Sequence, residues 1–410
     1  MVSPDNQHRQ VSFEGSTLSL PIYLDYPAST PLDEQVAIAI TTAMQKSSGN
    51  PHSSTHSFGH QARQSIEQAQ EHIATLINAR PHEIIFTSGA TEANNLALLG
   101  FIRAVSGTRH VISVETEHEA VLQPLKFLSN HEGVELTLLP VDENGLIDLK
   151  RLEKEIRRET VLVSVMAANN ETGVRQDIRS IGRICAERNI AFHCDAAQAL
   201  VTEKIDITVE NITLLSLSGH KIYAPMGIGA LYVKEGTKIN PLFHGGGQQR
   251  ALRPGTQPTA LCVGLGEACR IVSESRESDT RHIKRLRSAF KEALWNQLGD
   301  EVRFNADAAS HIPGCVSMTF TGINAEDLLL ELPDLAFSTG SACSSMTSEP
   351  SHVLRAMGLS AEEAAATIRI GLGRPTKFDD VAYTVQQIVR AYHNIRNGGE
   401  RDMDIRREGS

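Results

Sequence analysis

Between residues 84 and 233, short runs of aliphatic and β-branched residues alternate with segments of helical periodicity, and this alternation narrows the possible folds more than any other feature. Strands are expected to end at Thr87 and to cover 110–115, 135–141, 161–167, 191–194, 212–218 and 227–233. Helices are expected at 62–78, 119–129, 149–157 and 178–187, with one more opening just after Thr87. Strands separated by helical crossovers pair parallel and are covered on both faces. The expectation is therefore an α/β domain with a mostly parallel sheet. In such sheets ligands collect at the carboxyl ends of the strands.

Several polar residues fall at those ends. Ser88, Gly89, Ala90 and Thr91 turn a strand into a helix, so small residues, free N–H groups and a hydroxyl face the position that suits an anion. Such a turn also occurs for packing alone. His118 follows a second strand, Asn169 and Asn170 a third, and Asp195 with Gln198 a fourth. Singly, His118 is an ordinary helix-start residue and Asp195 an ordinary cap. Their convergence is what points to a site. Lys221 lies at the centre of ITLLSLSGHKIYAPMGIGALYVK (212–234), between two strand-forming runs and just after Ser216, Ser218, Gly219 and His220. A loop lysine ordinarily snorkels to solvent. One held between buried strands is costly as a charge and suited to a Schiff base, for which pyridoxal phosphate is the carbonyl cofactor.

The 410 residues suffice for two domains. Residues 1–20 lack a long apolar stretch and an arginine-rich amphipathic pattern and read as a disordered lead-in, not a targeting segment. Segment 47–60 reads as a polar loop rich in hydroxyls and histidines, and 243–258 as a glycine-rich loop with Arg250, Arg253 and Thr256. Helical periodicity from 259 to 298, with a charged middle, predicts a long solvated helix joining two domains. Beyond it, strands at 316–320 and 367–371 and helices at 326–332, 352–357 and 379–396 predict a smaller α+β domain. The expected division is a large domain at 31–275, a small domain at 21–30 and 276–396, and a frayed tail at 397–410.

A formal net charge of -10 argues against nucleic acid or an anionic membrane as the main partner. No apolar run reaches the roughly 18 residues of a membrane span. Six cysteines without C-x-x-C spacing suit a reducing, cytoplasmic compartment better than a disulfide framework or a zinc site. Five read as buried hydrophobes. Cys343 differs because STGSACSS surrounds it with small and hydroxylated residues, the setting of a mobile loop on which a thiolate acts as nucleophile. Arg369, inside the strand-like ATIRIGLGR, needs a carboxylate partner, and a substrate α-carboxylate fits its fork.

The stretches YLDYPASTP, GNPHSSTHSFG, FTSGATEANNLAL, ETEHEAVL, NNETGV, HCDAAQ, SLSGHKIYAPMGIGALYV, HGGGQQRALRPGT, STGSACSS and IRIGLGR, in this order over about 22–374, resemble the cysteine desulfurases. These form a class V branch of the pyridoxal phosphate-dependent aminotransferase superfamily. The cysteine segment is similar to the longer loop of the group that hands sulfur to scaffold proteins and tRNA-modifying enzymes. The resemblance implies the fold type I architecture of PLP-dependent transferases. Lys221 would be the Schiff-base lysine and proton carrier at Cα, and Asp195 would pair with the pyridinium nitrogen. His118 would stack on the ring and Gln198 would bond its phenolic oxygen. Ala90, Thr91, Ser218 and His220 would hold the phosphate, with Thr256 reaching across from a second subunit. Asn170 and Arg369 would grip the substrate carboxylate, Asn170 beside the cofactor as well. Cys343 would attack the substrate sulfur, leaving alanine and a cysteine persulfide.

The chain departs from the family pattern in APMG, where Ala224 and Met226 replace a glycine and a lysine. It also lacks the long C-terminal segment through which housekeeping members engage an iron–sulfur scaffold. The function implied is an L-cysteine desulfurase, homodimeric, with pyridoxal 5'-phosphate, L-cysteine as substrate and a sulfur-acceptor protein as partner. Iron–sulfur assembly, tRNA thiolation, DNA sulfur modification and cofactor biosynthesis all use this chemistry. A selenocysteine lyase of the same branch, and a non-catalytic partner protein with the same fold, are the alternatives.

Overall fold

The computed structural model describes residues 9–339 and 350–398, and among these no helix is long and apolar enough to cross a membrane. The described residues divide into two compact units, one of residues 28–170 and 174–278 and one of residues 9–27, 171–173, 279–339 and 350–398.

The larger unit is built on a seven-stranded sheet. Its order is Ile84–Thr87, Gly229–Val233, Leu214–Ser218, Ala191–Asp195, Thr160–Ser164, His110–Val114, Glu135–Leu139. The five strands from Leu214–Ser218 onward pair parallel, whereas Gly229–Val233 runs against both of its neighbours. Ile84–Thr87 therefore points the same way as the five. All six carboxyl ends lie on one edge of the sheet. Every residue of Leu214–Ser218 and Gly229–Val233 is buried, which is why these runs read as continuous apolar stretches without alternation.

Helix Ala90–Ala104 crosses this sheet with two buried stripes. Ala93, Leu96 and Ala97 pack with Ile85, Leu214, Leu231 and Val233, while Leu98 and Ile102 pack with Val111, Val121, Leu125 and Leu162. The alanines let the helix come close to the sheet, and each fully buried Leu or Ile contributes about 1.5–3 kcal/mol. The start of this helix is thereby held against the strand ends. Its position decides where an anion can bind.

In the smaller unit the strands Val302–Phe304, Cys315–Phe320, Thr367–Gly371 and Ser338–Thr339 form an antiparallel sheet in that order. Helices Ala325–Glu331 and Phe378–Asn397 pack on it around Met318, Phe320, Leu328, Ile368, Ile370, Ile388 and Tyr392.

Three expectations are corrected. Residues 9–20 are not a disordered lead-in: Arg9–Phe13 and Ser16–Leu20 form an antiparallel hairpin. Leu18 and Leu20 enter the core of the smaller unit, and Phe13 meets Tyr383 edge-on at 5.3 Å, so a period-two apolar face outweighs a polar composition. The polar loop ends at His56, whose imidazole caps helix Ser57–Ile77, so the helix opens five residues earlier than its apolar face suggested. The 40-residue helix Thr259–Leu298 is not simply solvated. Cys262, Leu265, Cys269 and Val272, then Ile283, Leu286, Phe290, Leu294 and Leu298, bury one face on either side of an unburied middle at 273–278, and the division between units falls within the helix at 278/279.

Candidate active site

The anion cradle is set by register. Gly229 pairs with Thr87 on one side and with Ser218 on the other, so the turns after those two strands meet across a single residue. A Cβ on Gly229 would stand 2.6 Å from the Leu217 carbonyl oxygen and 2.7 Å from Gly89 Cα, so only glycine allows this approach. Gly89 itself has φ 153° and ψ -178°, a conformation that non-glycine residues avoid. A Cβ there would lie 3.8 Å from Ser218 Oγ. No side chain caps helix Ala90–Ala104, so the N–H groups at Ala90 and the exposed Thr91 sit at an uncapped, dipole-positive helix start beside the Ser218 hydroxyl.

Lys221 ends the single 3-10 turn Gly219–Lys221 that follows Leu214–Ser218. Thr30 clamps this turn, its N–H and its hydroxyl both donating to the His220 carbonyl, at 2.7 and 3.0 Å, while its Oγ1 accepts the Tyr223 N–H at 2.7 Å. The half-buried Lys221 donates through Nζ to the Ala28 carbonyl at 2.8 Å. Burial first, and the Lys221 charge second, push the His220 imidazole down to about 4. His220 is therefore neutral near pH 7 and able to donate or accept a hydrogen bond without adding charge.

Asp195 ends its strand buried at 6% exposure. Its Oδ1 accepts the Ala197 N–H at 3.0 Å and its Oδ2 accepts Asn94 Nδ2 at 2.6 Å. Gln198 is half-buried in the turn just beyond. His118 is half-buried and caps helix Glu119–Glu132, its Nδ1 accepting the Ala120 N–H at 3.0 Å. The capping reading and the site reading are compatible: engaging Nδ1 as acceptor puts the proton of the neutral ring on Nε2. Asn170 is buried beyond the strand Thr160–Ser164. Thr256 is exposed on its loop.

Arg369 belongs to the smaller unit, 2% exposed, in the strand Thr367–Gly371. Its carboxylate partner there is the chain's own Asp25, whose Oδ1 accepts Nη2 at 2.7 Å and whose Oδ2 accepts Ser338 Oγ at 2.7 Å. The expected carboxylate partner is thus present within the chain itself. Cys343 lies outside the described residues. The other five cysteines are buried, and burial pushes Cys185, Cys262, Cys269 and Cys315 up to about 12 and holds Cys194 well above the ordinary thiol value, the inert state expected of them. Of the two family departures, Ala224 is buried and Met226 is 70% exposed, so the second changes surface only. Among the described residues no cluster of ligating side chains suits a metal ion.

Sequence reasoning misses Thr30, Asp25 and Asn94. The first two sit in an irregular segment with no periodic signal. Asn94 has one: it shares a face with Ala97 and Leu98, and a polar residue on an apolar face is buried and must find a partner.

Residues 22–383 match the family aminotransferase class-V. A cysteine desulfurase IscS from Rickettsia bellii is 46% identical over 385 residues, 93% of this chain and 93% of that protein. Among solved structures, a NifS-like protein is similar with a TM-score of 0.83 at 33% identity, covering 90% of this chain and 98% of its own. A second, SspA in complex with cysteine, has a TM-score of 0.77 at 37% identity and covers 86% and 98%.

Proposed function

This chain belongs to the class-V aminotransferase family, and from that premise we propose that it is a PLP-dependent L-cysteine desulfurase. The observation that carries the reading is the meeting, across Gly229, of an uncapped helix start with the Ser218 turn that leads into Lys221. A cradle that a Cβ would fill, a lysine within three residues of it and a buried carboxylate supported by Asn94 fit the phosphate, the aldehyde and the ring nitrogen of pyridoxal 5'-phosphate. That group, when bound, supplies a carbonyl for Lys221 and an aromatic ring that withdraws electrons from the substrate Cα.

The chain's residues do the rest. N–H groups at Ala90 and Thr91, with Ser218 and neutral His220, hold the phosphate. The Asp195 carboxylate, oriented by Asn94 and the Ala197 N–H, would hold the ring nitrogen. Gln198 would bond the ring oxygen, with Asn170 beside the cofactor. The Lys221 amine would take and return the proton at the substrate Cα, and His118, its Nδ1 engaged, would offer Nε2 for proton transfer. Arg369 and Asn170 take the substrate carboxylate. The Cys343 thiolate attacks the substrate sulfur, so an S–S bond forms as the C–S bond breaks. The pair of electrons left on Cβ takes up a proton, and the products are alanine and the Cys343 persulfide.

Two copies of the chain would form the working enzyme, with Thr256 of each serving the other. In support, Thr256 is exposed, and Ile38, Met44 and Phe58 of the same unit are 60%, 66% and 56% exposed. The persulfide would pass to a cytoplasmic acceptor protein of iron–sulfur assembly or tRNA thiolation. Purified protein incubated with pyridoxal 5'-phosphate and cysteine is expected to release alanine, and to do so faster on cysteine than on selenocysteine. Lys221→Ala should lose the cofactor's visible absorbance and alanine release together, and retention of both would defeat the assignment. Cys343→Ser should keep the absorbance and lose labelled sulfur on the protein.

A further inference from the structure

The strand ends that lead to His118 and Asn170 are tied to each other by a reciprocal pair of hydrogen bonds that none of the roles above uses. Glu117 accepts the Met166 N–H on Oε1 at 2.6 Å, and Asn169 donates through Nδ2 to the Thr116 carbonyl at 3.0 Å. Asn169 Nδ2 also lies 3.5 Å from Met166 Sδ. Glu117 is 0% exposed, and Thr116, Met166 and Asn169 are buried around it. The adjacent strands end at Val114 and Ser164, and their ladder pairs Ile112 with Val163 as its last step. Past that point these two strands no longer pair with each other, and the remaining backbone bonds run to their outer neighbours, from Glu115 to Leu139 and from Val165 and Ala167 to His193 and Asp195. Side chains take over, one bond in each direction.

We propose that Glu117 and Asn169 are positioning residues for the desulfurase reaction, a two-bond brace that sets the placement of His118 and Asn170; this rests on the function proposed above. Each braced residue stands immediately before the group it positions, so a shift of the backbone there passes directly to the imidazole or the amide. Burial first, and the neighbouring Asp195 charge, hold the Glu117 carboxyl well above the usual carboxylate range, while the Met166 N–H acts against them. Raising the carboxyl in this way favours its neutral form, so Glu117 serves as a strut and not as a charge. A brace of this kind works by shape, and an uncharged isostere reproduces it.

The test uses the full-length holoenzyme in wild-type, E117A, E117Q, N169A and E117A/N169A forms, with alanine release measured against cysteine concentration. Misplacing reacting groups by an ångström costs on the order of 100-fold. E117A and N169A are expected to lose about 10–100-fold in kcat, with KM changed by less than about threefold. E117Q should recover to within about threefold of wild type, and the double variant should be no worse than the poorer single one. Hydrogen exchange at the Met166 amide, read without any turnover, should be slow in wild type and E117Q and fast in E117A. Single variants with kcat within about twofold of wild type would overturn the brace. So would E117Q falling as far as E117A, or equal exchange in all three. Should E117A not fold, N169A against E117Q carries the same comparison. A wild-type protein that releases no alanine would sink the functional reading, and the exchange result would then decide the brace alone.

Discussion

Asn94 donates through Nδ2 to Asp195 Oδ2 across 2.6 Å, inside the interface between helix Ala90–Ala104 and the sheet. One bond therefore links the helix that starts beside Ser218 to the carboxylate proposed to face the ring nitrogen. Removing it leaves a buried carboxylate short of a donor. Asn94→Ala is expected to lower stability by about 1–3 kcal/mol in urea denaturation. Asp195→Asn should retain the fold and lose at least about 100-fold in alanine release, since it removes the only charge assigned to the ring nitrogen. An Asp195→Asn protein as active as wild type would contradict that role.

Gly229→Ala tests the cradle from the strand side. Its Cβ would meet the Leu217 oxygen at 2.6 Å and Gly89 Cα at 2.7 Å, and both are backbone atoms that cannot rotate away. The expected cost is about 1–3 kcal/mol of stability from overpacking. Cofactor retention on dialysis should fall with it. A variant that melts lower yet holds pyridoxal phosphate as tightly as wild type would separate the packing role from the cradle role.

Asp25 neutralises Arg369, which is nearly sealed from solvent. Breaking a buried ion pair from one side costs about 3–5 kcal/mol, and Asp25 itself keeps 21% side-chain exposure, so the lower end applies. Asp25→Asn keeps the shape and the Ser338 contact but removes the charge. It is expected to lower the denaturation midpoint and to raise KM for cysteine at least about fivefold, because the guanidinium loses what orients it. Unchanged KM in initial-rate measurements would show that Asp25 serves the fold alone.

Acid sensitivity should be traceable to His193. It is fully buried between Ser164 Oγ at 2.8 Å and Ser216 Oγ at 3.1 Å, and burial lowers it to about 4, with Asp195 opposing. The folded protein holds it neutral while the unfolded chain protonates it below about 6.5. Its contribution is therefore fully present above pH 6.5 and is lost as pH falls toward 4, on the order of 3 kcal/mol across that window. Urea midpoints measured at intervals from pH 7 to 4 should decline, and His193→Gln should flatten the decline. An equal slope in the variant would assign the acid sensitivity to other groups.

Much of the site is legible in the sequence. Thr87, His118, Asn170, Asp195 and Lys221 each end or follow a recognisable strand, and the rule for parallel sheets places such residues on one edge. The smaller unit reads as α+β because its apolar runs are long enough to assign. The hairpin at 9–20 does not show itself in the same way, since its alternation covers only a few residues within a polar stretch.

The sequence by itself determined the alternation of strands and helices, the edge on which the polar residues collect, and the family to which its motifs are similar, and it singled out Lys221 and Cys343 as the proposed reactive pair. Those are local properties, carried by periodicity and by short motifs. The tertiary structure alone decided which group supports which: Asn94 for Asp195, Thr30 for the Lys221 turn, Asp25 for Arg369 across 344 positions, and Glu117 with Asn169 for their neighbours. Periodicity reports which face of an element is buried. A hydrogen bond between distant residues depends on where two backbones come to rest, and no pattern within either segment contains that distance.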